Sequence, residues 1–501
     1  MSEQQSAYRE IFKSTSLFGG VQVIIILVNI VRTKFVAILL GTAGMGTFGL
    51  LNSPLGVIAS LTGLGISFSA IRDISEASGS GDEQRLARTI ISFRRWVIFT
   101  GLLGMLATIL LAPWLSKWTF GNSNYTWAFI WLSVTLLLND LSSGQKALLQ
   151  GMRKLQSMAK ATVIGSLLGL VASIPIYFIY GIKGIVPSLI ISACVALLLS
   201  WHFARQVPVA KVIITYKESF NEGKGMIKLG IILSISTQIG ALVSYLLNSF
   251  ISRTGGLEQV GLYSAGMGLV GTSVGLVFAA MGMDYYPRLA AISKDNKNIR
   301  SMVNQQVIMS VLIILPIVLV LLITMPIVIR LFLSKAFIGI IPFVNLTVLG
   351  IVIKTVSYPI GYISFAKGDS KVFFWLEGII ANVLNLVLSL GFYKLWGLNG
   401  IGIAFIVLYS IYLFIVYWIA NKRYSFSFER DLYVVLLISI LLTIISYLSI
   451  TFLSSYTLYF VLIILLIIGI VYSFHELNKR MNIRQVIIFY INKFKKNKIQ
   501  L

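Results

Sequence analysis

LFGGVQVIIILVNIVRTKFVAILL, residues 17–40, is the stretch on which the fold turns. An apolar helix of about 20 residues is enough to cross the hydrocarbon core of a bilayer. This run is that long, yet it carries two cations, Arg32 and Lys34. A third cation, Lys354, interrupts another apolar run with mostly apolar residues on either side. Insertion scales put a cation at a helix centre at about +2.5 to +3.5 kcal/mol, and such residues usually face a water-filled cavity or a partner. The other 38 of the 41 Lys and Arg lie in connections or at segment ends. The pattern reads as a membrane transporter whose cavity offers positive charge to an anionic substrate.

Working outward, apolar runs recur along the whole chain. Of 501 residues, 57% are hydrophobic and 12% charged, against about 45–50% and about 25% in a soluble domain. Fourteen transmembrane helices are expected, near 16–39, 45–69, 96–114, 125–147, 160–180, 184–204, 228–251, 259–283, 304–325, 338–363, 372–393, 399–420, 432–453 and 458–475. The fold class is all-α and polytopic. An even number of crossings puts both termini on one side. That side carries 32 of the Lys and Arg and the opposite side 6, so the termini are expected in the cytoplasm by the positive-inside rule. The net charge of +24 is spread over these short connections, which argues against a nucleic-acid partner. The tail 479–498 is a basic strip interleaved with Ile487, Ile488, Phe489 and Phe494, suited to anchoring on anionic lipid. The first 13 residues are polar, and no cleavable leader is expected. The single cysteine, Cys194, and two histidines, His202 and His475, form no metal-ligand pattern.

At an offset of 215 residues the chain repeats itself. Gly46 falls on Gly261, Phe48 on Tyr263, Gly56 on Gly271 and Arg85 on Arg300, and the expected helices 1 and 2 fall on 7 and 8. Six helices separate the copies, so both have the same orientation, a parallel repeat of two six-helix lobes. The expected organisation is an N-terminal lobe over 1–210, a C-terminal lobe over 211–425, two additional helices over 426–478 and the basic tail over 479–501.

Gln22, Asn29 and Arg32 are spaced by seven and three and share one face of the first helix. Lys34 lies roughly 200° around that helix from Arg32, so it meets another helix or snorkels to the interface; snorkelling is an alternative for Arg32 too. The repeat carries the polar face into Thr237 and Ser244 but puts Leu247 where Arg32 stands. Thr347, Lys354 and Tyr358 share a face of the tenth helix. The repeat counterpart of Lys354 is Asn139, beside Asp140, the one deep carboxylate. Asp140 is a candidate charge partner for a buried cation, or a structural ion pair remote from substrate. Glu377 is a candidate partner for Lys354, or a plain interfacial carboxylate. Gln238 and Asn248 add amides on the seventh helix.

Four stretches carry a family resemblance: LLGTAGMGTFGLLNSPLGVIASLTGLGISFSAIRDISE at 39–76, VGLYSAG at 260–266, YYPRLAAIS at 285–293 and GIVIKTVSYPIGYISFAKGDSKVFFWLE at 350–377. The chain resembles the polysaccharide-unit flippases, the O-antigen and enterobacterial common antigen translocases, over about its first 420 residues. Their superfamily also holds multidrug antiporters and the peptidoglycan-precursor flippase. The two additional helices depart from the twelve-helix members. The resemblance implies two lobes around a cationic cavity and a bacterial inner-membrane location. It implies an undecaprenyl-pyrophosphate-linked oligosaccharide as substrate, flipped from the cytoplasmic to the periplasmic leaflet by alternating access. Polysaccharide polymerase and chain-length regulator are the implied partners. Arg32, Lys354 and Lys34 are suited to the pyrophosphate; Gln22, Asn29, Gln238 and Asn248 to the glycan; Tyr358 and Tyr362 to stacking on sugars.

No cofactor is expected. Coupling would come from the membrane potential, about 2.3 kcal/mol per charge per 100 mV, or from H⁺ or Na⁺ through Asp140. A multidrug or cation antiporter would need cavity carboxylates, which are scarce here. A membrane polymerase or ligase would need a large outer loop with a nucleophile–base pair, and the outer connections have about 15 residues or fewer. A peptidoglycan-precursor flippase shares the fourteen-helix count and stays open.

Overall fold

A computed structural model describes residues 3–210 and 212–481, and among these there is no strand. The basic strip beyond 481 lies outside the described residues. Fourteen helices are present. The first is α1 (Glu3–Leu39). The second, α2, has two arms, Gly41–Thr62 and Ile66–Gly79, bent by 44°. Then follow α3 (Glu83–Phe120), α4 (Thr126–Gly151), α5 (Leu155–Tyr180) and α6 (Ile185–Ala204). Residues 216–255 (α7) and 257–291 (α8) meet at Gly256, whose backbone is not helical. Next are α9 (Asn296–Phe332) and α10 (Ile341–Ala366). Residues 370–395 (α11) and 398–424 (α12) meet at a break over Trp396 and Gly397. Two more, α13 (Arg430–Phe452) and α14 (Ser455–Met481), complete the set.

Eight helical stretches are long and apolar enough to cross a membrane, or nine with the bent α2 as one span. Two of the eight, Leu155–Ala204 and Ser370–Tyr424, each hold two helices. The helix α4 is not among them; it bears Asn139, Asp140 and Lys146. Polar side chains dilute its apolar character.

The repeat is legible in the backbone. Shifted by 215 residues, α4 coincides with α10 at both ends. Gly41 and Gly256, also 215 apart, both take positive φ, 67° and 81°. A Cβ added at Gly46 would lie 1.9 Å from the Leu257 carbonyl oxygen, and one at Gly261 would lie 1.9 Å from that of Thr42. Leu257 and Gly261 are the counterparts of Thr42 and Gly46 in the repeat. The contact between α2 and α8 is therefore symmetric, and only glycine lets the two backbones approach this closely.

By contacts the chain forms two compact units, Met1–Ala265 with Arg330–Phe337, and Gly266–Ile329 with Ile338–Leu501. The first unit holds α1–α7 and the start of α8. One of its cores gathers Ile74, Ile90, Phe93, Trp96 and Leu148. Arg95 of α3 fastens the chain entering α7: it donates to the carbonyls of Ile214 (3.1 Å) and Thr215 (3.0 Å) and to Ser219 Oγ (2.7 Å), and covers the Tyr216 ring. The second unit is built around Tyr285, Val303, Leu312, Ile363 and Tyr412. There α13 and α14 join α9 through Leu315, Leu319, Leu442 and Leu465. Asn304 of α9 pins the approach to α13 by donating to the Ser427 carbonyl and accepting from the Glu429 N–H, both at 3.0 Å.

Candidate functional site

The first unit encloses a cavity of about 280 Å³ between α1, α2, α4, α5 and α6. Arg32 reaches it from α1, Asn52 from α2, Asn139 and Lys146 from α4, and Thr162 from α5. Asn139 and Lys146 are seven residues apart, two turns on one face of α4. None of the lining residues is acidic. The Arg32 Nε is buried with no hydrogen-bond partner among the described residues. Lys146 was expected among the connection charges; instead it lies inside α4 and shares this cavity with Arg32. Its position near a helix end hid it, although the seven-residue spacing from Asn139 was available.

The remaining candidates of this unit disperse. Lys34 turns to the end of α9, donating to the carbonyls of Arg330 (3.1 Å) and Leu333 (2.8 Å). The last carbonyls of a helix lack intrahelical partners and carry the negative end of its dipole, so Lys34 meets another helix rather than the cavity. Gln22 and Asn29 are exposed and line no part of it. Gln238 bridges α7 to α2, donating to the Ser60 carbonyl (3.1 Å) and to Ser234 Oγ (2.9 Å). Asn248 keeps a buried Oδ1 without a partner among the described residues. Asp140 follows Asn139 but points away from the cavity, toward α3 and the bend of α2. It is in hydrogen-bonding contact with Thr100, and its Oδ1 lies 3.7 Å from the position a Cβ at Gly63 would take. No ion pair joins it to Arg32 among the described residues.

In the second unit Lys354 stands in an aromatic box. Its Nζ lies 5.2 Å from the Phe278 ring centre, 5.3 Å from that of Tyr409 and 6.0 Å from that of Phe405. Cation–π attraction of this kind contributes about 0.5–2 kcal/mol, more as water is excluded. Phe405, Tyr409 and Tyr412 recur at four and three residues on α12, a helical face visible in the sequence but not singled out from it. Tyr358 shares a hydroxyl hydrogen bond with Tyr362 at 3.0 Å and packs on Phe278.

Glu377 faces this group from α11. It sits in a π-helical turn, Phe374–Ile380, a distortion often found at functional positions. Asn382 secures the turn by donating to the carbonyls of Glu377 (3.0 Å) and Gly378 (2.9 Å). The Tyr412 hydroxyl donates to Glu377 Oε1 at 2.5 Å. A Cβ at Gly361 would lie 2.7 Å from the same oxygen, so the absence of a side chain there makes its room. Glu377 is within electrostatic reach of Lys354. It is an inward-facing, hydrogen-bonded carboxylate, not a plain interfacial one.

Fourteen helices, a symmetric glycine contact and cation-lined interiors describe a polytopic transporter fold. The family model for "polysaccharide biosynthesis protein" matches residues 35–342. The chain belongs to that family. It is 26% identical over 301 residues to a putative O-antigen transporter of Shigella flexneri, covering 58% of this chain and 69% of the relative. It is 21% identical over 393 residues to the lipid III flippase of Escherichia coli K12, covering 76% and 90%. Among solved structures, the lipid II flippase MurJ in an inward closed conformation matches with a TM-score of 0.65 at 15% identity, over 93% of this chain and 99% of that one. An inward-facing multidrug resistance MATE transporter matches with a TM-score of 0.63 at 18% identity, over 80% and 94%. These two show the fold. The relatives are named transporters and flippases, and the chain is a multi-pass membrane transporter rather than an enzyme.

Proposed function

We propose that this protein flips a lipid-linked oligosaccharide, an undecaprenyl-pyrophosphate-linked repeat unit of a surface polysaccharide, from the cytoplasmic to the periplasmic leaflet of the inner membrane by alternating access. The observation that carries the reading is the sign of the interior charge. Arg32, Lys146 and Lys354 all lie within helices, and among the described residues no carboxylate comes within ion-pair distance of any of them. A cationic interior favours a pyrophosphate and disfavours a cationic drug. The likeness to O-antigen and lipid III transporters supports the same substrate class.

Under this reading both termini face the cytoplasm, and the polysaccharide polymerase and its chain-length regulator receive the flipped unit. Lys354 and Tyr358 act on the substrate from the second unit. Coupling to H⁺ or Na⁺ would draw on Glu377 or Asp140, and the membrane potential favours outward movement of an anion. The test is deletion in the host, followed by analysis of lipid-linked oligosaccharide and surface polysaccharide. Precursor should accumulate in the inner leaflet, with rescue by the wild-type gene and not by Lys354→Ala at matched expression. Unchanged polysaccharide with altered drug sensitivity would point to an antiporter, and a block in cell-wall synthesis to the peptidoglycan precursor.

A further inference from the structure

The two units treat their interior cations differently, and that difference points to a ligand. In the second unit Lys354 has rings around it and Glu377 within electrostatic reach, so its charge is answered from within the protein. The repeat places Asn139 of the first unit at the position of Lys354, Thr162 at that of Glu377, and Lys146 at that of Gly361. The first unit therefore has two cations where the second has one, and a neutral hydroxyl where the second has its carboxylate. Space differs in the same sense. Phe405 packs where a Cβ at Gly350 would lie, 2.5 Å from its Cδ1, and Glu377 fills the room beside Gly361. In the first unit the corresponding positions, Thr135 and Lys146, line an open cavity of about 280 Å³.

Two like charges facing one cavity repel, and a low-dielectric wall strengthens the repulsion. Nothing among the described residues offsets it here. Arg32, Lys146 and Asn139 make no hydrogen bond or ion pair with the described residues, and the buried Arg32 Nε is left over. A guanidinium fork, an ammonium and an amide converge as donors on a space below the range of about 300–1,000 Å³ usual for drug-sized ligands. That is too small for a glycan and suited to a phosphate-type group.

We propose that the cavity of the first unit is a binding site for a small phosphate-class oxyanion, held by Arg32 and Lys146 with Asn139 as a further donor. The anion restores the charge balance that Glu377 supplies in the second unit. Free inorganic phosphate or pyrophosphate and the diphosphate of a lipid-linked molecule present the same chemistry.

The experiment uses the full-length protein, purified in detergent with gluconate as the only other anion, and inorganic pyrophosphate as probe. Thermal unfolding and titration calorimetry should show saturable binding. Arg32→Gln and Lys146→Gln should each weaken it by about tenfold or more, as expected for loss of one charge-assisted contact. Lys146→Arg should retain it, and so should Lys183→Gln, which removes a charge of the same sign from an exposed position. Size-exclusion profiles and ligand-free melting temperatures identify any variant that fails to fold, in which case the other variant decides. Glycan-free undecaprenyl diphosphate is then added as competitor. Displacement of pyrophosphate assigns the site to a lipid headgroup and lack of displacement to a free anion, and either result upholds the site. Absence of saturable binding in the wild type overturns the proposal, as does equal binding in wild type, Arg32→Gln and Lys146→Gln. The flipping reading fails separately, if deletion leaves the precursor leaflet unchanged while pyrophosphate still binds.

Discussion

The interiors of the two units start from the same helical scaffold and reach opposite electrostatic solutions. In the first, α4 carries Asn139 and Lys146 toward an open cavity that Arg32 also lines, and no acid answers them. In the second, α10 carries Lys354 into a box of rings, with Glu377 and Tyr412 hydrogen-bonded beside it. A repeat preserves helix length, register and glycine contacts because those set the backbone. The side chains inside each bundle are free to differ, since exchanging an asparagine for a lysine leaves the helix intact. One unit is thus internally compensated and the other is open to a ligand.

The strongest test of the shared scaffold lies at its symmetric contact. Gly46→Ala and Gly261→Ala should each cost about 3 kcal/mol, the upper end for overpacking, because the blocking atom is a backbone carbonyl that cannot step aside. Similar losses in melting temperature for the two would sustain the symmetry, and a large inequality would break it.

Next in size is the compensated pair. Lys354→Ala should destabilise the protein by about 2 kcal/mol, below the full cost of orphaning a buried charge because the site is half-buried. Adding Glu377→Gln should recover most of that loss. If the double variant is no more stable than the single, Lys354 and Glu377 do not compensate each other.

Tyr412→Phe removes the hydroxyl that donates to Glu377 and should cost about 1.5 kcal/mol, as for a hydrogen bond to a charged group. A thermal shift indistinguishable from zero would mean that the carboxylate finds another donor. The smallest effect is expected outside the bundles. Arg85 and Glu76 pair at 2.6 Å, but both side chains are more than half exposed. Arg85→Ala should change stability by about 0.5 kcal/mol or less, and by less still in high salt.

The sequence by itself determined the membrane fold, the helix count and the repeat. These follow from hydropathy and from periodicity along the chain, which local physics writes residue by residue. It also marked Arg32 and Lys354, because an ionisable group in an apolar run is conspicuous whatever surrounds it. Glycines 215 residues apart were legible as a pattern, but their meeting across α2 and α8 was not. Lys146 was hidden because a lysine near a helix end looks like a topology charge until a neighbouring helix brings Arg32 alongside. Asn139 and Asp140 are adjacent in sequence, and only the rotation of α4 sends one to the cavity and the other to α3. Lys34 and Arg32 parted in the same way, one capping the carbonyls of α9 and the other lining the cavity. Tertiary structure decided which charges share a space, because that depends on how helices pack, and a single sequence records the faces of a helix but not what lies opposite them.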